Sequence, residues 1–373
     1  MPHRLGANGA AKPEIIAFPT IRSQNRGVEN DNGALRMAGA LAVSTAGGLL
    51  CAWLKTPLPW MIGPLAAMAI VQFGGANLEA PAYGREAGQL VIGVSLGLYF
   101  TPIVMREVVG HWAVLLIAAV GSLGAGYASA LFLKRAARVD LATAFFGSMP
   151  GGAAEMAVLG ERHGAMTDRV ALAHSTRLLI VVTTIPVAIT ALGFTGTDDY
   201  RPVRVAFSPP GFAMLILGGL AAGLVARRYR IPNAFMMAPL LGTIAVTAMG
   251  NQLTSMPTEL SNAAQVLLAC NLGSKFQQSF LREAPRFLAC LIPAILITIG
   301  LAGALGWVLA WGSGLPVPTL LLACAPGGIA EMSITAKVLR VGVPVVVAVH
   351  VSRFVIVVLF AEAFYRTLLR HRA

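Results

Sequence analysis

The chain has 373 residues, of which 56% are hydrophobic and only 12% are charged, with a formal net charge of +12. Soluble domains carry about 25% charged residues, so a mean hydropathy of +0.73 excludes an ordinary soluble enzyme or regulator and indicates a polytopic membrane protein. The positive surplus does not indicate nucleic acid: the basic residues stand in short loops between apolar stretches, with no helix-turn-helix or zinc-finger spacing.

In chain order, residues 1–33 form a polar tail that lacks the apolar core of a signal peptide. It is expected to be disordered and cytoplasmic. Apolar elements follow at about 35–54, 58–73, 87–104, 111–133, 141–160 and 170–194, making a membrane repeat over 34–195. A polar linker at 196–210, with Asp198, Asp199 and the Pro209-Pro210 pair, precedes a second repeat over 211–373. Its elements fall at about 211–226, 233–250, 262–278, 286–311, 317–337 and 343–369. Cys51, Cys270, Cys290 and Cys324 all lie in apolar segments without a CxxC pair and read as small buried hydrophobes.

The two repeats are copies. Pro150-Gly151-Gly152-Ala153-Ala154-Glu155-Met156 returns as Pro326-Gly327-Gly328-Ile329-Ala330-Glu331-Met332, 176 residues downstream (326 less 150). The same offset maps His174 to His350, Arg177 to Arg353, Gln89 to Gln265 and Gly97 to Gly273. Upstream it becomes 175, mapping Gly48, Pro57 and Pro64 to Gly223, Pro232 and Pro239. A register held along most of a repeat marks a duplication.

Loop charges bear on orientation. If all six elements of each repeat crossed the bilayer, the Arg227–Arg230 cluster and Arg282 with Arg286 would fall outside. If one element per repeat is re-entrant, 19 Lys and Arg collect on one side and six on the other, as the positive-inside rule requires. The expected fold is therefore all-α, with about five spanning helices plus one broken or re-entrant element per repeat, and the second repeat inverted.

Glu155 and Glu331 are candidate site residues, because a carboxylate in an Ala-, Gly- and Met-rich segment needs a partner, a cation or a proton. Pro-Gly-Gly (Gly151, Gly152, Gly327, Gly328) weakens the helix and frees backbone amides and carbonyls for ligands. The bland reading is a turn at the membrane surface with a solvated Glu in the first helical turn. His174 with Arg177, and His350 with Arg353, share one helix face at a spacing of three. A buried Arg needs a carboxylate, an anionic substrate or water, and the Glu of the same copy is its natural partner. The competing reading is an Arg that snorkels from a helix end. Gln89 and Gln265 line a Gly-containing helix, as do the pairs Ser95/Asn271 and Tyr99/Lys275, either as cavity wall or as interhelical hydrogen bonds.

Pro-Gly-Gly-x-x-Glu-Met with the downstream His-x-x-Arg, complete in both copies, resembles the AbrB family of integral membrane proteins, whose defining feature is this duplication. The resemblance runs from about Leu35 to Arg366. Family members carry labels of ammonia monooxygenase or of regulation of gene expression, so the resemblance implies either activity. A small soluble DNA-binding regulator shares the name, and nothing here resembles it. The residues point elsewhere: to a secondary transporter of a small anionic solute, with its site at the interface of the repeats. Membrane sensing linked to gene expression is the alternative. A metal-dependent monooxygenase, with Glu155, Glu331, His174 and His350 as ligands, is disfavoured by Arg177 and Arg353 on the same faces. No HExxH, nucleophile elbow or Walker loop is present. No cofactor or metal is expected, and the partners are a small solute or ion and the lipid bilayer, with oligomers compatible. The expected location is a bacterial-type inner membrane, with the N-terminus cytoplasmic.

Overall fold

The structure is a computed structural model that describes residues 30–194, 205–276 and 285–370. Most of the expected tail and linker, and Arg282, lie outside the described residues. The first repeat contributes α1 (Asn30–Trp53), α2 (Pro59–Phe73), α3 (Gly84–Gly97), α4 (Pro102–Gly110), α5 (Trp112–Ala137), α6 (Leu141–Ser148), α7 (Ala153–Arg162) and α8 (Thr167–Ala191). The second contributes α9 (Pro209–Arg228), α10 (Ala234–Ala248), α11 (Thr258–Gly273), α12 (Pro285–Ser313), α13 (Val317–Cys324), α14 (Ile329–Leu339) and α15 (Val343–Arg370). The described residues form helices joined by turns and short extended segments, without a strand. The Pro209-Pro210 pair, expected to close the linker, opens α9, and Ser208 caps it by accepting from Gly211 N.

Among the described residues six helices are long and apolar enough to cross a membrane, three in each repeat: α1, α5, α8, α9, α12 and α15. Trp53, Trp311, Ile70 and Met249 are exposed on the outside of the bundle, which suits a protein whose solvent is lipid. The chain is a multi-pass helical membrane protein.

The remaining elements of each repeat are short or broken. The helix expected over 87–104 stops at Gly97, and α4 leaves it at 90°. Thr101 forces this ending, since its hydroxyl accepts from Val104 N while Pro102 occupies the first turn of the next helix. The elements expected over 141–160 and 317–337 are each two half-helices, α6 with α7 and α13 with α14. The chain between them is extended at Met149 and Gly152 in one copy and at Ala325 and Gly328 in the other.

Contacts between the repeats are reciprocal. α3 packs on α10, and its counterpart α11 packs on α2. Gly97 sits against Thr243 and, in the matching position, Gly273 against Met68. α3 also crosses α11: Gly84 meets Leu267, and Gly88 meets Ala264 and Leu268, so these equivalent helices run antiparallel. α5 and α12 are antiparallel too, with Gly121 against Leu305 and Ser129 donating to Ala294 O.

Small residues allow the closest crossings. Gly47 of α1 and Gly63 of α2 approach so near that a Cβ on either would run into the other's backbone, a contact no side chain can relieve. Gly63→Ala is expected to destabilise the protein by about 1–3 kcal/mol, the range for overpacking. Gly242, where an added Cβ would meet nothing within 4 Å, should instead gain up to about 1 kcal/mol as alanine. Thermal unfolding in detergent distinguishes the two, and equal midpoints would contradict the crossing.

Candidate functional site

Both Pro-Gly-Gly breaks face one cavity of about 120 Å³, well above the ~10–15 Å³ that admits one water. Its wall includes Gly151, Gly152, Glu155, His174 and Arg177 from the first repeat and Gly327, Gly328, Glu331, His350 and Arg353 from the second. Gln89 also lines it, together with Arg85, Asn233, Asn271 and Lys275.

The charges do not pair as expected within each copy. The described ion pairs leave out Arg177, Arg353, Glu155 and Glu331. Each arginine instead serves the carbonyl end of a half-helix. Arg177 Nη1 donates to Ser148 O at 3.3 Å and Met149 O at 2.9 Å, where α6 ends. Arg353 donates to Ala325 O at 2.7 Å and Gly327 O at 2.6 Å, where α13 ends. Met149 and Ala325 are themselves equivalent, so one of the bonds is repeated by the duplication. A cation at a helix C-terminus satisfies both the freed carbonyls and the dipole. Arg177 and Arg353 are 5% and 2% exposed, which removes the snorkelling reading.

Each glutamate serves the opposite end of the break. Glu155 and Glu331 stand in the first turn of α7 and α14, whose N-caps, Gly152 and Gly328, have no side chain to offer. The carboxylate folds back over that glycine, and a Cβ at Gly152 or Gly328 would collide with it. A carboxylate in the first turn complements the amide end of the dipole. The broken helix thus sets the two charges at opposite ends of the break, the arginine at the carbonyl end of one half-helix and the glutamate in the first turn of the next.

His174 bridges this arrangement. Its Nε2 donates to Phe146 O at 2.9 Å, and its Nδ1 accepts from Arg177 Nη2 at 3.0 Å. Those partners fit only the neutral ring with its proton on Nε2. His350 uses Nδ1 to donate to Val346 O at 2.9 Å, and its buried Nε2 has no hydrogen-bond partner. The Nε atoms of Arg177 and Arg353 are also buried and unpartnered.

Gln265 departs from its counterpart. Gln89 Nε2 donates to Asn233 Oδ1 at 2.8 Å and lines the cavity. Gln265 is buried outside the wall and, among the described residues, reaches only Asn262, at 3.5 Å. The position matching Asn233 is Leu58 (233 less 175), which has no polar group to hold a glutamine toward the cavity.

Arg85 and Asn233 were missed by sequence reasoning. Each stands beside a helix start, where a basic or amide residue reads as an ordinary loop residue. The cavity wall therefore holds four basic side chains, Arg85, Arg177, Lys275 and Arg353, against two acidic ones, a surplus of two positive charges. Among the described residues no group of three His, Cys, Asp or Glu side chains is placed to hold a metal ion.

The family model described as transition state regulatory protein AbrB matches residues 60–369. The chain belongs to the AbrB family. This AbrB-family protein is 26% identical over 372 residues to a Bacillus subtilis (strain 168) protein named "Uncharacterized protein YhjN", covering 91% of this chain and 95% of the relative. It is 24% identical over 318 residues to an Escherichia coli (strain K12) protein named "Putative regulator AbrB", covering 83% and 90% of the two. The cavity lies within the part of the chain that the family model spans.

Proposed function

We propose that this AbrB-family protein is a secondary transporter of a small anionic solute, bound in the cavity between two inversely oriented repeats of a bacterial-type inner membrane. The observation that carries the reading is the surplus of two positive charges in a cavity walled by both broken helices. An anion there gains from two guanidiniums whose Nε–H groups have no partner, in surroundings where water screens weakly. Inversion is supported by the antiparallel runs of α3 with α11 and of α5 with α12. The excess of basic loops on one side supports a cytoplasmic N-terminus in this reading.

Proton coupling falls to Glu155 and Glu331 in this reading, not to histidine. A second proton on His174 would face the Arg177 Nη2–H group, so that ring is a poor carrier. An incoming anion competes with the two carboxylates for the cavity's positive field, and a carboxylate that takes a proton ceases to compete.

The test is uptake into proteoliposomes of labelled acetate, pyruvate, succinate, phosphate and sulfate under an inward proton gradient. At least one should enter in a gradient-dependent way. Arg177→Ala should weaken its apparent affinity about tenfold to a hundredfold, the equivalent of about 1.5–3 kcal/mol for a lost hydrogen bond to a charged group. Glu155→Gln should remove the dependence on the gradient. Saturable binding of one of these anions without flux would transfer the function to sensing, in keeping with the regulator named among the relatives. Neither binding nor uptake of any of them would defeat the proposal.

A further inference from the structure

The two half-helices that follow the breaks are packed differently. In α14 every residue from Met332 to Ala336 is buried, and the helix rests on α3 and α8 as well as on its chain neighbours. In α7 only Met156 and Gly160 are buried, and no comparable packing joins it to α11, the counterpart of α3.

A polar contact accompanies the closed side. Lys337, near the end of α14, donates to Ser95 of α3 at 3.0 Å and to Ser261 of α11 at 3.4 Å. Three helices from both repeats are thereby tied together beyond the cavity. The offset of 176 converts Lys337, Ser95 and Ser261 into Glu161, Asn271 and Arg85. Asn271 and Arg85 line the cavity, while Arg85 and Glu161 are both exposed. None of these three side chains makes a hydrogen bond or ion pair among the described residues.

The chemistry of both trios is complementary, but in opposite senses. In the closed one a lysine donates to two hydroxyls. In the open one a glutamate is matched to an arginine and an amide, both donors. Two halves related by a twofold axis can exchange conformations, so an arrangement adopted by one half is available to the other.

We infer that Lys337, Ser95 and Ser261 form a gate that seals one face of the cavity, and that Glu161, Arg85 and Asn271 form the alternate gate, which closes the other face when the first opens. The structure is then one end state of the cycle, open on the side of Arg85 and Lys275. This rests on the proposed transport reading, but its test reads accessibility and not solute.

The test uses the full chain in proteoliposomes with Cys51, Cys270, Cys290 and Cys324 replaced by alanine. Ser333→Cys, at a position 0% exposed one turn before Lys337, reports access from the sealed face to a membrane-impermeant thiol reagent. Arg85→Cys with Glu161→Cys provides an oxidisable pair across the open face. Oxidation should join 85 to 161 and accelerate labelling at 333 at least tenfold, and Lys337→Met alone should raise the same labelling. The pair joining while 333 stays sealed, or failing to join in protein that elutes like its parent, would overturn the inference, as would a Lys337→Met protein that remains sealed. Exchange of access without uptake of any tested anion would keep the gates and remove only the anion reading. Undiminished uptake by the cross-linked protein would do the reverse.

Discussion

Arg353→Ala is expected to be the most damaging single change in the cavity wall. The guanidinium holds Ala325 O and Gly327 O in the second Pro-Gly-Gly break, and it is 2% exposed. Removing it takes the guanidinium from two carbonyls, each costing about 1–3 kcal/mol where it stays buried and unsatisfied. The summed loss, about 2–6 kcal/mol, is comparable to the net stability of a typical fold. Arg353→Lys separates charge from geometry. Lysine keeps the positive field but presents one ammonium where two carbonyls need a fork, so it should recover anion affinity better than it recovers stability. The measurements are thermal unfolding in detergent and calorimetric titration with whichever anion the wild type takes up. A lysine variant as stable as wild type would mean that the break does not depend on the bidentate contact.

Gly328→Ala should have the second largest effect on anion binding, for a reason that lies in the side chain three residues on. The Glu331 carboxylate occupies the place where the new methyl group would stand. The helix itself tolerates alanine at an N-cap at a cost of a few tenths to about 2 kcal/mol, so the added penalty comes from moving the carboxylate. Once expelled, it swings into the cavity toward Lys275 and Arg85, lowers the positive field and weakens anion binding. A double-mutant cycle isolates this effect. Glu331→Ala removes the colliding group, so Gly328→Ala made on that background should cost less than on the wild type, by up to about 1 kcal/mol. Additive losses would show that glycine is needed there for backbone freedom alone. Gly152 with Glu155 should behave alike, since the same collision recurs in the first copy.

Much of the architecture was legible because hydropathy and duplication are both local, linear signals. A stretch of apolar residues long enough to span lipid announces itself in sequence, as the segments that became α5, α8, α12 and α15 did. An offset shared by the Pro-Gly-Gly motif, the histidine, the arginine and several glycines shows that two units fold alike. Helix breaks were legible at Pro150 and Pro326. The one between Gly97 and Pro102 was not, because Leu98, Tyr99 and Phe100 continue the apolar run through the turn.

The site was legible as a cluster and illegible as a set of pairings. Glu, His and Arg at repeated spacing predicted a shared polar centre; these residues line one cavity, as do Gln89, Asn271 and Lys275, whereas Gln265, Ser95 and Tyr99 stand outside its wall. The expected bond between arginine and glutamate does not form. A broken helix exposes carbonyls on one half and amides on the other, and the orientation of those two ends is set only when the halves pack. Gln89 and Gln265 illustrate the same limit, because identical residues in equivalent positions differ once one meets Asn233 and its twin has Leu58 at the matching place.

By itself, then, the order of amino acids determined an all-helical membrane chain, its doubling, and which side chains would be costly to bury alone. Tertiary structure decided which backbone end each charge answers, that Arg85 and Asn233 join the wall, and that α14 is packed tightly where α7 is not. The physical reason is range. Hydrophobicity and helix-breaking act within a segment, whereas electrostatic partners and close packing depend on distances between segments far apart in the chain.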